Sequence, residues 1–430
     1  MTRLRFRPAL FLLAGLFWLL LASVVGLVHF LAIVRGVPTG PAMALIHSHG
    51  AMVGGVAQIV LGALIVFLPS FLMMGEGRLD SHPVLFTAIN AGAVGIAAGF
   101  GFGQYLLAGA AGLLVLFAFL SLCRDALGRT TKILALPPLH WWFYGLAVIG
   151  LLAGLLIGEM MAARLVPQGM VGQIRLAHIH FILQGFLTLA IVGAMHTAYP
   201  AMLKWALYSD ALARFTFLFL PLGLVVLMGG FMASELWIEI GGGMAMLVAV
   251  GLYGSNIAQT WISAGKPRTT ASDHLLMATF FLVVATGAGL LVAANALWDP
   301  PKIPYGRLHL VAYTHLALLG FLLQSILGAL SHYLPSMLAE ERTTSHKKRE
   351  PYLGELNGIV ERWRSIQVGA FNLGTIGLSL VAALVWQFSL TSFAVQTAAW
   401  VSAGLLLLGL GLFGIKAVLL VISEPARESD

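Results

Sequence analysis

Twelve apolar runs, each long enough to cross a bilayer and separated by short polar punctuation, fill almost all of the 430 residues. In hydrocarbon a stretch of about 20 apolar residues can satisfy its own backbone only as a helix. The runs fall near 9–34, 41–69, 83–104, 106–123, 139–162, 173–200, 213–233, 238–264, 273–295, 307–335, 365–388 and 393–422. The composition agrees: 59% of residues are hydrophobic and 10% charged, and the mean hydropathy is +0.93, far from the half-apolar, quarter-charged mix of a soluble domain. The expectation is an all-α, polytopic protein of one transmembrane domain, with membrane lipid as its surroundings; soluble enzymes and nucleic-acid binders are excluded. The single cysteine, Cys123, rules out an internal disulfide, a cysteine-ligated iron–sulfur cluster and a c-type haem attachment. The first run is long enough to span and lacks a small-residue cleavage site, so it reads as a helix rather than a leader.

The net charge of +7 is distributed unevenly. Alternating sides along the twelve runs leaves Arg35, Arg164, Arg175, Lys302 and Arg307 on one face and the other 19 of the 24 Lys and Arg on the opposite one. By the positive-inside rule this places both termini in the cytoplasm, as an even number of spans requires, and puts the chain in a cell or inner membrane. The charged segment 337–364, with Glu340-Glu341-Arg342 and Lys347-Lys348-Arg349, reads as a solvated cytoplasmic loop.

Three of the runs share one pattern. His49 is followed by Gly54, Gly62-Ala63 and Pro69; His180 by Gly185, Gly193-Ala194 and Pro200; His315 by Gly320, Gly328-Ala329 and Pro335. The histidines are 131 and 135 residues apart and lie on the second, sixth and tenth runs. The chain is therefore a threefold repeat of four-helix units, approximately 1–132, 133–268 and 269–430, expected as three pseudo-symmetric arcs. The glycines would admit a neighbouring helix or a flat ligand, and each proline would end its helix.

A histidine inside a bilayer is costly and marks a bundle interior or a ligand, so His49, His180 and His315 are the candidate metal-binding residues. His47 and His178 precede two of them by two residues, roughly 200° around the helix, so one helix can serve two pockets. Tyr313 holds the corresponding position on the tenth run. Arg35, Arg175 and Arg307 lie where the propionates of an edge-on porphyrin would emerge, and equally where plain loop charges would. His196 and His332, in His-x-x-Tyr-Pro and His-Tyr-Leu-Pro contexts, read as helix-terminal hydrogen-bonding groups.

These residues resemble subunit I of the heme-copper oxidase superfamily, which includes the nitric oxide reductases. That family has twelve helices in three arcs, and its tenth helix carries a stretch similar to Tyr313-Thr-His315-Leu-Ala-Leu-Leu-Gly320 running on to Ser331-His332-Tyr-Leu-Pro335. The resemblance implies that His49 and His315 are the axial ligands of a low-spin haem, b-type being the expectation, in one or two copies. It also implies a respiratory role with companion subunits and a c-type cytochrome or quinol as electron donor. Two departures stand out. The family's high-spin haem hangs from a histidine at the position of Tyr313, and its copper or non-haem iron needs histidines on the seventh helix, which has none here. Copper is therefore not expected. The NnrS family of nitric-oxide-response membrane proteins is also similar, with twelve helices and a His-x-His motif like His47-Ser-His49 followed by glycine and a later proline.

Three functions fit these residues. One is electron transfer through a bis-histidine haem, with a second haem on His180 and either His178 or His47. Another is a gas-reactive oxidase or nitric oxide reductase, which needs an open coordination site. The last is a cofactor-free transporter or sensor whose histidines act as proton-linked switches.

Overall fold

The computed structural model describes residues 8–71, 82–129, 137–302, 312–343, 345–384 and 387–425. Among them all regular structure is helical. Twelve helices are long and apolar enough to cross a membrane: α1 (Ala9–Val34), α2 (Pro41–Val66), α3 (Pro83–Gly101), α4 (Tyr105–Ala126), α5 (Leu139–Ala162), α6 (Gln168–Leu203), α7 (Asp210–Ala233), α8 (Leu236–Ser263), α9 (Thr270–Asn295), α10 (Ala312–Arg342), α12 (Arg364–Leu384) and α13 (Phe393–Ile422). Between α10 and α12 lies α11 (His346–Glu361), a charged helix outside the spans. The protein is a multi-pass, all-α membrane protein. Side-chain oxygens cap several of these helices. Ser209, Thr269, Ser345 and Ser392 accept the backbone N–H three residues on, each satisfying one first-turn donor.

Two expectations need correction. The prolines do not end their helices, because α6 continues past Pro200 to Leu203 and α10 past Pro335 to Arg342. A proline removes one helical donor, and a bundle can absorb that loss without breaking the helix. The segment 337–364 is not a loop. α10 runs on to Arg342, and α11 buries Tyr352, Leu356 and Val360, a stripe at helical spacing.

By its contacts the chain divides into two compact units, Met1–Pro138 with Leu151–Ile179, and Leu139–Gly150 with His180–Asp430. In the first unit α3 and α4 approach through small residues. A Cβ at Gly99 would fall 2.5 Å from the Ala108 nitrogen, and one at Gly95 2.6 Å from the Ala111 methyl. Such contacts let backbones close in where lipid gives no hydrophobic drive for association. The Trp18 indole nitrogen donates to Asn90 Oδ1 at 3.1 Å, tying α1 to α3.

In the second unit the same device joins α7 to α8, at Gly223 and Gly242, and α12 to α13, at Gly374 and Gly377. α11 is strapped down from several sides. The Tyr352 hydroxyl donates to the Ser423 carbonyl at 2.7 Å, and Lys416 Nζ and Thr270 Oγ1 both donate to the Val360 carbonyl. Arg342 donates to the carbonyls of Leu420, Val421 and Ser423, and so caps the last turn of α13. Deeper in, fully buried His274 donates from Nδ1 to Gln324 Oε1 and accepts at Nε2 from Gln367, each at 2.9 Å, while Gln324 donates to Asn372 at 2.7 Å. This network links α9, α10 and α12.

Candidate functional site

The three repeat histidines occupy one structural position. In α2 the α-helical turns Pro41–His49 give way at His49 to a π-helical stretch, Gly50–Ala57. In α6 the turns Val171–His180 give way to Phe181–Thr188, and in α10 His315 precedes Leu316–Leu323. Each stretch is eight residues long. π-Turns are rare, cluster at functional sites and re-aim the side chains on either side of them.

The glycines of the repeat seat a neighbouring helix. A Cβ at Gly54 would fall 2.4 Å from the Trp18 ring, and one at Gly320 2.5 Å from the Phe281 ring; at Gly185 the neighbour is the backbone of Gly150. The later glycines follow suit: Gly62 lies under Phe11, Gly193 under Phe143 and Gly328 under Leu275. In every repeat the second helix is thus grooved to take the first, and the seated residues recur at intervals of 131 or 132.

The residue two before each repeat histidine has a fixed seat as well. His47 Nδ1 lies 2.7 Å from the Ala22 carbonyl, and a Cβ at Gly26 would fall 2.3 Å from the His47 ring. His178 Nδ1 lies 2.8 Å from the Gly154 carbonyl, and Gly158 faces its ring in the same way. The ring of Tyr313 lies over Gly289, with the Gln184 side chain near its hydroxyl. The geometry explains the glycines. Each ring arrives from the neighbouring helix beside the residue four further on from the carbonyl it bonds, and glycine there, Gly26 or Gly158, leaves it room.

Tautomers follow from these partners. A carbonyl only accepts, so Nδ1 of His47 and His178 carries the proton and Nε2 the lone pair. His49 is set in the same way, with Nδ1 2.9 Å from the Leu45 carbonyl. A histidine that donates from Nδ1 to the backbone is prepared to ligate a metal through Nε2. The His49 ring packs against Phe100, centroids 4.7 Å apart, and His178 lies within electrostatic reach of it in the same unit. In the second unit buried His180 packs edge-on against Phe231 at 4.9 Å.

The remaining candidates are placed as follows. His315 is half-buried at the start of its π stretch. Arg35 and Arg175 are exposed, and Arg307 lies outside the described residues. His196 is not a helix-terminal group. It is buried well inside α6 between the rings of Phe143 and Tyr253. Among the described residues no three of His, Cys, Asp or Glu gather as a group that could hold a metal ion.

Set against solved structures, this arrangement of helices has relatives. A heme-copper terminal oxidase, solved as a dimer by cryo-EM, is similar with a TM-score of 0.66, over 98% of this chain and 85% of that chain. The fold is shared with a heme-copper terminal oxidase. Sequence identity to it is 13%, so the similarity is one of fold. No protein-family model matches the chain, and no curated protein matches it. The residues that sequence reasoning missed are Gly26, Gly158 and Gly289, whose recurrence at intervals of 132 and 131 was the available signal.

Proposed function

We propose that this chain is a haem-binding membrane protein of the heme-copper oxidase subunit I type that relays electrons in a respiratory chain. His49 and His315 are the proposed axial ligands of a b-type haem. The observation that carries this reading is the seat of His49: an imidazole held at Nδ1 by the Leu45 carbonyl, so that Nε2 is the ligating atom, at the head of a π stretch repeated after His180 and His315. This donor set suits a haem iron, and the backbone bond holds the ring in the ligating orientation. When bound, the haem supplies a one-electron iron couple. Held by His49 and His315, the haem would have no exchangeable position left for a gas. Tyr313 fits the same reading, because its ring fills the seat over Gly289.

The electron donor would be a c-type cytochrome or a quinol, with companion subunits supplying any further centre and both termini in the cytoplasm of an inner-membrane protein. Oxidised and dithionite-reduced absorption spectra test the proposal, with haem quantified per chain and CO added to the reduced sample. Sharp reduced bands that ignore CO are expected, and His49→Ala and His315→Ala should each lose the haem. Colourless protein from haem-replete cells overturns the cofactor assignment, a CO-shifted Soret band the electron-transfer role, and full haem content in His315→Ala the ligand assignment.

A further inference from the structure

An open cavity of about 570 Å³ lies where the α8–α9 and α11–α12 connections meet. Arg268 and Thr269 line it from the first connection, and Glu361, Trp363, Arg364 and Ser365 from the second. Both connections turn through left-handed residues that are not glycine, Lys266 at φ 57° and Trp363 at φ 56°. The same left-handed turn follows other helices of the chain, at Arg164, Lys204 and Ser234, and is how these helices end. Here Arg364 Nη1 donates to the Arg268 carbonyl, and the Thr270 N–H donates to Glu361 at 2.9 Å.

The charge around the cavity is net positive. Asp273 is shared between Arg268, 2.9 Å away, and Arg364, 3.7 Å away. Glu361, the one carboxylate in the wall, lies 3.7 Å from Arg364 and near buried Lys416. Arg362 lies over the Trp363 ring, 5.8 Å from its centroid. Four cations therefore surround two carboxylates, and each carboxylate is already held. Arg268 uses Nε and Nη2 on Asp273 while its side chain stays 64% exposed, so its guanidinium can meet a second anion. α12 begins at the cavity, and the first-turn N–H groups of Ser365 and Ile366 have no intrahelical acceptor. At the mouth Trp363 and Ile366 are 44% and 54% exposed, an aromatic and an aliphatic side chain at the level where membrane helices end.

We propose that this cavity binds a phosphate-ester anion, with Arg268, Arg364 and Ser365 as its contacts. The guanidinium fork and the helix N-terminus match a tetrahedral oxyanion, and the apolar mouth suits the acyl chains of an anionic phospholipid. The site is independent of any haem. Intact-protein mass spectrometry and thermal unfolding in detergent, with phosphatidylglycerol, phosphatidylcholine or inorganic phosphate as probe, test it. Phosphatidylglycerol should bind and raise the unfolding midpoint, whereas phosphatidylcholine should not. Arg268→Gln should weaken binding about tenfold, and Ser365→Trp, which keeps every charge, should block it. Binding of inorganic phosphate, lost in both variants, assigns the same contacts to a soluble phosphate instead of a lipid. Wild-type affinity in both variants, or no binding of either anion by the unaltered protein, overturns the proposal.

Discussion

Gly26→Ala puts the seat of His47 to a direct test. The added methyl would fall 2.3 Å from Cε1 and 2.5 Å from Nδ1 of the ring, so the imidazole must retreat by about 1 Å to reach ordinary contact. A retreat of that size stretches the 2.7 Å bond to the Ala22 carbonyl beyond hydrogen-bonding range. Helix propensity works the other way, because alanine is better than glycine in a helix by about 0.8–1 kcal/mol. Against that gain stand about 1–3 kcal/mol for a donor left unsatisfied and about 1–3 kcal/mol for overpacking. The net effect is a loss of roughly 1–5 kcal/mol. Gly145→Ala is the matched control, since nothing lies within 4 Å of its added methyl, and it should be neutral or slightly stabilising. Thermal unfolding of the purified protein compares the two. The reasoning about this seat is refuted if Gly26→Ala unfolds at or above the midpoint of Gly145→Ala.

Two further substitutions probe the second unit. Gln324→Leu removes the acceptor of fully buried His274 Nδ1 and the donor to half-buried Asn372. With two polar groups orphaned, a loss of about 2–6 kcal/mol is expected in thermal unfolding, and a midpoint within a degree of wild type would contradict it. Arg342→Met strips the cap from the carbonyls of Leu420, Val421 and Ser423 and leaves the Tyr352 hydroxyl without that donor. Limited proteolysis should then cut near 423 faster than in the unaltered protein, with a stability loss of about 1–3 kcal/mol; unchanged cleavage would show that α13 does not need the cap.

The helices were legible because hydrocarbon leaves the backbone no alternative, and the bounds expected for α1, α5 and α13 match the structure. The repeat was legible through its histidines and glycines. The role of those glycines was not, because the residues seated on them differ in kind: Trp18, Gly150 and Phe281 occupy equivalent places with no common side chain. The π stretches have no residue signature of their own. α11 reads as a loop in the sequence because Lys347, Lys348 and Arg349 dominate its start, although Tyr352, Leu356 and Val360 lie at the spacing of a buried helical stripe. Pro200 and Pro335 read as stops by a rule that holds best for helices in water, and both lie inside their helices here.

Position 313 shows what the repeat conserves physically. Read alone, a tyrosine where the resemblance implies a haem ligand marks a lost function. In the structure it takes the seat that His47 and His178 take in the other repeats, a flat ring laid on a glycine of the preceding helix. The imidazoles are short enough to bond the carbonyl beneath them, whereas the longer phenol carries its hydroxyl past it toward Gln184. Two residues on, about 200° around the helix, the histidine at 49, 180 or 315 points away from that seat. The motif thus divides its work. The first ring joins the two leading helices of a repeat, and a tyrosine serves that purpose as well as a histidine. The second ring stands at the head of a π stretch in all three repeats, and a phenol there would forfeit the Nε2 lone pair that the His49–Leu45 bond sets up.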